Sequence, residues 1–336
     1  EVSGNYSFVS GQMNEVSGYN SVAFGNKMNV SGAYSFGINL EPDDEGGVVN
    51  LSNDRVLAVM GGNVGIGTSN PLAKLSLDND GSILAQGTSG SGWNGGTLGA
   101  GSRMMWIASK GAFRAGKTWG TNWDTTKIGF NSIALGEDHL VTSSFGFAAG
   151  GRSHEITGDS SVVIGGENNI ISDSNSGIIA GWNNIISDRY SVISGGQDNL
   201  ISNEFSFIGG GTNNTVSGAG SVIFGGYNNT VSGNYSSAFG YNMNVSGGYS
   251  FGINVSTTAA TLSRDNTIAL MGGNVGIGTT SPQSLLDVSG DSATIRISDH
   301  SSTRIPALIF MRGTSTVFGE DIWTDWKIEN NSGELR

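Results

Sequence analysis

A serine returns every fifteen residues through the middle of the chain, at Ser161, Ser176, Ser191, Ser206, Ser221 and Ser236. The next falls at Ser250, fourteen further on, and Gly146 and Ser132 carry the series back at steps of fifteen and fourteen. A second array opens the chain at Ser7, Ser21 and Ser35, with steps of fourteen. A fixed short period marks a repeat architecture, in which one unit cannot bury its own apolar face and must stack on its neighbours. With the serine as position one, position three reads Val163, Ile178, Ile193, Ile208, Ile223 and Ala238. Position eleven reads Ile171, Ile186, Ile201, Val216, Val231 and, after a one-residue deletion, Val245. Between the two pulses sit a glycine (Gly166, Gly181, Gly196, Gly211, Gly226) and an asparagine (Asn169, Asn184, Asn199, Asn214, Asn229, Asn244). A serine follows the second pulse at Ser172, Ser187, Ser202, Ser217, Ser232 and Ser246.

Two short β-branched runs per repeat, each closed by Gly, Asn or Ser, are too short for helices and read as strands. Composition points the same way. The chain carries 55 glycines in 336 residues, and each would cost about 1 kcal/mol inside a helix. The expected fold is all-β, a parallel β-roll or β-solenoid of 14–15-residue coils with small β modules between the arrays. Successive coils would stack at strand spacing, about 4.8 Å. The recurrent glycine would supply positive φ at a corner, and the stacked asparagines would bond to one another and to turn backbone.

Positions two and four of the first strand are also often apolar, as in Val162 and Ile164, Val222 and Phe224, and Phe36 and Ile38. A lone coil array needs only one buried face, so the second face is expected to meet another chain. Charged residues make up only 13% of the chain, less than a free solenoid surface would use for solubility. A homotrimeric fibre is the predicted assembly, with end-to-end filaments as a further option.

Other classes are excluded on the same grounds. Four prolines and no Gly-X-Y period exclude collagen. The lack of cysteine removes disulfide frameworks and thiolate metal sites, and suits an exported protein. No apolar run approaches the roughly 18 residues of a membrane helix. A net charge of −12 has the wrong sign for nucleic acid. No signal peptide is visible at Glu1. The expected location is extracellular, on a cell surface or a virion tail.

Larger units repeat as well. "GNYSSAFGYNMNVSGGYSFGIN" (233–254) echoes "GYNSVAFGNKMNVSGAYSFGIN" (18–39), and "MGGNVGIGT" follows in both halves. The expected organisation is a first array over 1–40, a connector over 41–81 and a small Trp-rich β module over 82–131. A second array follows over 132–255, a second connector over 256–290 and a second small module over 291–336. "TIRISD", "ALIFMRG" and "DWKIENNSGEL" in that last module read as strands. "EVSGNYS" at the start matches "TVSGNYS" at 230–236. The chain is therefore expected to begin mid-coil, with residues upstream, and its last module to be incomplete.

"NSVAFG" (Asn20 to Gly25) at 14-residue spacing resembles the head repeats of YadA-like trimeric autotransporter adhesins. That resemblance covers the two arrays and implies a left-handed parallel β-roll packed as a trimer. The 15-residue form departs from the family's commoner 14-residue coil. "GNVGIGTTSP" with "LLDVSG" (274–290) is similar to segments of phage tail fibres and large bacterial surface proteins, and "SRMMWIASKGAFRAG" (102–116) is similar to modules between such arrays. The function these likenesses imply is a structural, adhesive fibre segment of a bacterial surface protein or appendage. A phage tail fibre that binds a host receptor is the alternative, and a carbohydrate-processing spike a third. An ice-binding rod is set aside here because no Thr-x-Thr ladder runs through the repeats.

Candidate chemical groups are few. Gly248-Tyr249-Ser250-Phe251-Gly252 satisfies G-x-S-x-G, but a coil start is not the strand-to-helix elbow a nucleophile needs. The "GNVGIG" glycines lack the helix of a dinucleotide loop and read as turns. His139 and His154 lie one coil apart and are expected as neighbouring exposed turn residues. A trimer would gather them into a band, which makes a metal site conceivable. His300, and Asp43, Asp44 and Glu45, read as loop. Glu137 and Asp138 are expected on opposite strand faces, so they form no catalytic carboxylate pair. Tyr190, Phe205, Tyr235 and Tyr249 share the last coil position with Tyr34. They would either form an exposed ladder that stacks on sugars or pack into the next coil or chain, and packing is the expectation. Trp93, Trp106, Trp119 and Trp123 cluster in the first small module as core or as a sugar-contacting surface. The candidate ligand contacts are these four tryptophans with Tyr190 and Tyr235. No catalytic residue, cofactor or metal is expected. The expected partners are further copies of the chain and a cell-surface or glycan receptor.

Overall fold

The computed structural model describes residues 1–40, 47–66, 68–77, 83–88, 90–290 and 295, with the backbone of 307–310, 326–331 and 334–335. It divides into two compact units, 1–86 and 87–336. In the first, Phe8–Gln12, Val22–Asn26, Phe36–Asn39 and Leu57–Met60 form one parallel sheet. Glu15–Val16, Met28–Val30 and Val49–Leu51 form a second. Val64–Ile66 pairs in parallel with Leu75–Leu77 beyond them.

The second unit is built the same way on a larger scale. Ten parallel strands run from Ile133–Glu137 to Ile268–Met271, and an antiparallel hairpin, Gly101–Ile107 with Ala112–Thr118, completes a twelve-stranded sheet. A nine-stranded sheet, from Leu140–Val141 to Ala260–Leu262, supplies the second strand of each coil. The register is one coil: Ile193 pairs Ile208, and Ile201 pairs Val216. This is the parallel β-solenoid that the fifteen-residue period predicts. Residues 82–131 differ from expectation, because their hairpin extends the sheet of the second array. Strands 49–51, 57–60, 260–262 and 268–271, in stretches read as connectors, are rungs of the two arrays. Those last coils are longer because the chain inserts residues after Asn39 and Asn254, which the period could not anticipate.

The core lies between the sheets as two facing stacks. Positions three and eleven, from Ala134 and Val141 to Ala238 and Val245, are fully buried. Each rung therefore buries two aliphatic side chains, and the Val and Ile among them are worth roughly 1.5–3 kcal/mol apiece.

Two polar ladders flank that core. Asn184 Nδ2 donates to Asn169 Oδ1 at 3.1 Å, and the contact repeats from Asn199 to Asn184, Asn214 to Asn199 and Asn229 to Asn214 at 3.0 Å. Each Oδ1 also accepts the backbone N–H of the next asparagine, and each Nδ2 donates to glycine carbonyls, as Asn199 does to Gly211 at 3.0 Å. The opening serines make the second ladder. Ser191 Oγ donates to the Asn203 carbonyl and accepts the Ser206 N–H, at 3.2 and 3.1 Å. The buried side-chain amides from Asn169 to Asn229 and the opening serine hydroxyls thereby keep partners, which a buried amide or hydroxyl requires.

The asparagine ladder ends one rung earlier than the sequence suggests. The deletion falls in the glycine corner, so Met243, not Asn244, takes the ladder position. The Met243 N–H still donates to Asn229 Oδ1, and its methyl fills the space beside Gly252. Asn244 pairs with Thr230 and faces outward. Met28 and Gly37 repeat the arrangement in the first unit.

Corners use positive φ at three recurrent positions of the coil. The position-six glycines do so as expected, for example Gly181 at +105° and Gly196 at +92°. A Cβ there would strike the glycine carbonyl of the next coil. Positions eight and fifteen are left-handed too, and they carry side chains: Asn168, Asn183 and Asp198 at eight, and Tyr190, Phe205, Tyr235 and Tyr249 at fifteen. At the C-terminal end, Ala307–Phe310 pairs antiparallel with Trp326–Asn331, which pairs with Glu334–Leu335. "TIRISD" apart from Ile295, His300 and the acidic trio 43–45 lie outside the described residues.

Candidate functional site

The position-fifteen aromatics do not pack into the coil. Tyr190, Phe205, Tyr235 and Tyr249 remain about half or more exposed. They stack in pairs along the corner, Tyr190 on Phe205 at 5.1 Å and Tyr235 on Tyr249 at 5.3 Å. Gly220 separates the pairs, and the Tyr235 ring lies against it. The Arg189 guanidinium sits 5.8 Å from the Tyr190 ring centre and pairs with Glu204 at 2.8 Å. In the first unit Tyr19 bridges Tyr6 and Tyr34, each at 5.8 Å. A bulky residue in the left-handed region costs about 1–2 kcal/mol, and a stacked pair returns only about 0.5–1.5 kcal/mol.

The four tryptophans separate. Trp123 is fully buried and donates its Nε1–H to the His139 carbonyl at 3.1 Å. It belongs to a separate buried cluster with Met105, Ile107, Ala112 and Ile128 and cannot contact a ligand, which removes it from the candidate set. Trp119 is exposed at the corner, with Lys117 Nζ 3.2 Å from the ring centre. Trp93 lies on a loop whose carbonyl accepts the Ser109 hydroxyl. Trp106 stands on the outer face of the hairpin with Met104. Alternation along the paired strands puts that face in line with positions two and four of the coils.

Positions two and four of the twelve-stranded sheet present an apolar outer surface. Ile164, Ile179, Phe224, Phe239 and Leu270 are all exposed, Phe224 by 56%. The outer surface of the nine-stranded sheet differs. There position twelve is a file of hydroxyls from Thr157 to Ser246, and position ten changes from Ile170, Ile185 and Leu200 to Thr215 and Thr230.

The histidines overturn their expected placement. His139 and His154 are buried in the asparagine-ladder position, stacked at 4.8 Å with their planes 4° apart. Each Nδ1 accepts the backbone N–H that an asparagine oxygen would take, from His154 at 3.3 Å and from Asn169 at 3.4 Å. His139 Nε2 contacts the Leu135 carbonyl at 3.2 Å, whereas His154 Nε2 has no hydrogen-bond partner. Burial pushes the His154 pKa down to about 4, with the His139 ring adding to the effect; His139 is lowered as well, chiefly by burial. The two rings are structural neutral imidazoles. Their period with Asn169, Asn184 and Asn199 was the signal that sequence reading passed over.

Arg114 was also missed. It is fully buried under the first coil, and its guanidinium donates to the Phe113, Ser132 and Val141 carbonyls and to the Ser132 hydroxyl. Burial pulls its pKa down to about 10, so it stays charged at neutral pH.

Glu137 and Asp138 do not oppose one another across a strand. Asp138 occupies a left-handed corner, and both carboxylates serve Trp119: Glu137 accepts its Nε1–H at 2.7 Å, and Asp138 accepts its backbone N–H at 3.0 Å. Ser250 is buried in the serine ladder, donating to the Arg264 carbonyl and accepting the Thr267 N–H.

Residues 141–240 match a family model described as the grass antifreeze beta roll. The match coincides with the regular fifteen-residue coils and agrees with their β-roll repeat fold. No curated protein matches the chain.

Proposed function

We propose that the chain is a structural and adhesive segment of an extracellular fibre, in which three copies pack through the outer face of the twelve-stranded sheet. The observation that carries this reading is the exposed apolar surface at positions two and four, continued by Met104 and Trp106. Contiguous apolar surface of this kind marks interaction sites on soluble proteins, and a trimer would close it as a ring of heterologous contacts around a three-fold axis. The stacked coils would supply stiffness, and loops and corners would display recognition groups. A bacterial surface protein or appendage is the first setting, a phage tail fibre the alternative and a carbohydrate-processing spike the third. The first two settings call for no enzymatic role or cofactor, and Glu137, Asp138 and Ser250 all make hydrogen bonds within the array.

The test is native mass by light scattering. One chain is 34.7 kDa, so a trimer would give about 104 kDa. Ile164→Glu with Phe224→Glu would reduce that mass to the monomer's. A monomeric parent protein would refute the trimer.

The match to an antifreeze β-roll supports a second reading, in which the position-twelve hydroxyl file from Thr157 to Ser246 adsorbs to ice. Thermal hysteresis that disappears in Ser202→Tyr would favour it over the fibre.

A further inference from the structure

A groove of about 370 Å³ opens on the far side of the second array from the apolar face, where the chain inserts residues after Asn254. Its walls are uncharged throughout, and its polar groups are the amides of Asn228, Asn242 and Asn244 and the hydroxyls of Thr230 and Thr261. The volume falls in the range of small-ligand sites, about 300–1,000 Å³. We infer that this groove binds a neutral saccharide.

Three features carry the inference. First, the polar groups hold unused capacity. Asn228 Nδ2 donates to Asn242 Oδ1, and the Asn242 side-chain amide hydrogens make no hydrogen bond among the described residues. Asn244, Thr230 and Thr261 make no side-chain hydrogen bond among the described residues. Asn244 faces outward because the deletion in this coil moved Met243 into the ladder. Amides and hydroxyls both donate and accept, as sugar hydroxyls do. Second, the lining contains no carboxylate, ammonium, guanidinium or imidazole. An anionic or cationic ligand would lose hydration without gaining a counter-charge. A purely apolar ligand would strand these polar groups. Third, Tyr227 and Tyr241 stack at 5.2 Å on the same corner, one residue before Asn228 and Asn242, and both rings are exposed. Such rings offer an apolar platform to the C–H face of a pyranose.

The groove lies on the coil side away from positions two and four, so the inference stands whether or not the chains associate. The test is ligand-observed saturation-transfer NMR on the full chain. The neutral probes are maltose, cellobiose, lactose and diacetylchitobiose, with glucuronic acid and glucosamine as charged probes. We expect at least one neutral disaccharide to bind with a Kd of order 1 mM. Asn244→Ala and, separately, Thr261→Val should weaken it about tenfold with an unchanged melting curve. Both residues face outward or line the rim, so either variant serves if the other fails to fold. No binding by any neutral probe, equal binding by the charged probes, or full binding by both variants would overturn the assignment.

Discussion

Acid should loosen the second array through His154, and replacement of that one side chain should remove the effect. The imidazole is buried, neutral and lowered to about pKa 4 in the fold, whereas in the unfolded chain it titrates near about 6.5. Between those values the unfolded state binds the proton and the folded state does not. Stability is thus complete above about pH 6.5 and falls as pH drops toward 4. Linkage over that gap gives a loss of about 2 kcal/mol by pH 5 and about 3 kcal/mol by pH 4. The groups around the ring do not rescue it. His139 stacks on it and disfavours its charge, Arg114 disfavours charge on His139, and the Gly150 and Gly165 backbone groups and the Glu167 carboxylate only partly compensate. His154→Asn would extend the natural ladder, offering Oδ1 to the Asn169 N–H and removing the unpartnered Nε2. Urea unfolding of both proteins at pH 7, 5 and 4 checks this. The parent should lose about 2 kcal/mol more than His154→Asn between pH 7 and pH 5. Parallel losses, or a His154 that titrates above pH 6 by NMR, would refute a buried neutral ring.

Three further outcomes test the scaffold. Asn199→Ala removes donors to Asn184, Gly195 and Gly211 and leaves the buried Asn214 N–H without its acceptor, so the urea midpoint should fall by the equivalent of about 3 kcal/mol. Gly196→Ala drives a methyl into the Gly211 carbonyl, whereas Gly165→Ala, at φ +76°, opens onto free space; thermal melting should separate the two, with only about 1 kcal/mol lost at Gly165. Trp123→Ala should cost about 3–5 kcal/mol and abolish the Trp123 near-ultraviolet dichroism band, since the ring is fully buried in a cluster with Met105, Ile107, Ala112 and Ile128.

The coil itself was legible in the sequence. The period fixed which side chains share a stack, and every position-three and position-eleven residue it assigned to the core between Val163 and Val245 is buried. The asparagine ladder and the glycine corners were legible for the same reason: a one-coil offset brings identical positions into hydrogen-bonding register.

The chemical meaning of single positions was less legible. His139 and His154 stand fifteen residues apart in ladder register, yet residue type suggested a solvated turn. Asn244 matched the asparagine pattern, but the deletion sits in the glycine corner, and strand pairing moves Met243 into its place. Trp123 and Arg114 carry no fifteen-residue period, and residue type alone does not separate them from exposed Trp119 and half-buried Lys117. Their burial follows from how the hairpin closes on the first coil. Sequence alone determined the repeat, the strands and the core, because those depend on contacts one coil away. Tertiary structure decided the ends of the array, the caps and the groove. Those depend on chain segments without repeats, whose side chains meet only after the sheets have formed.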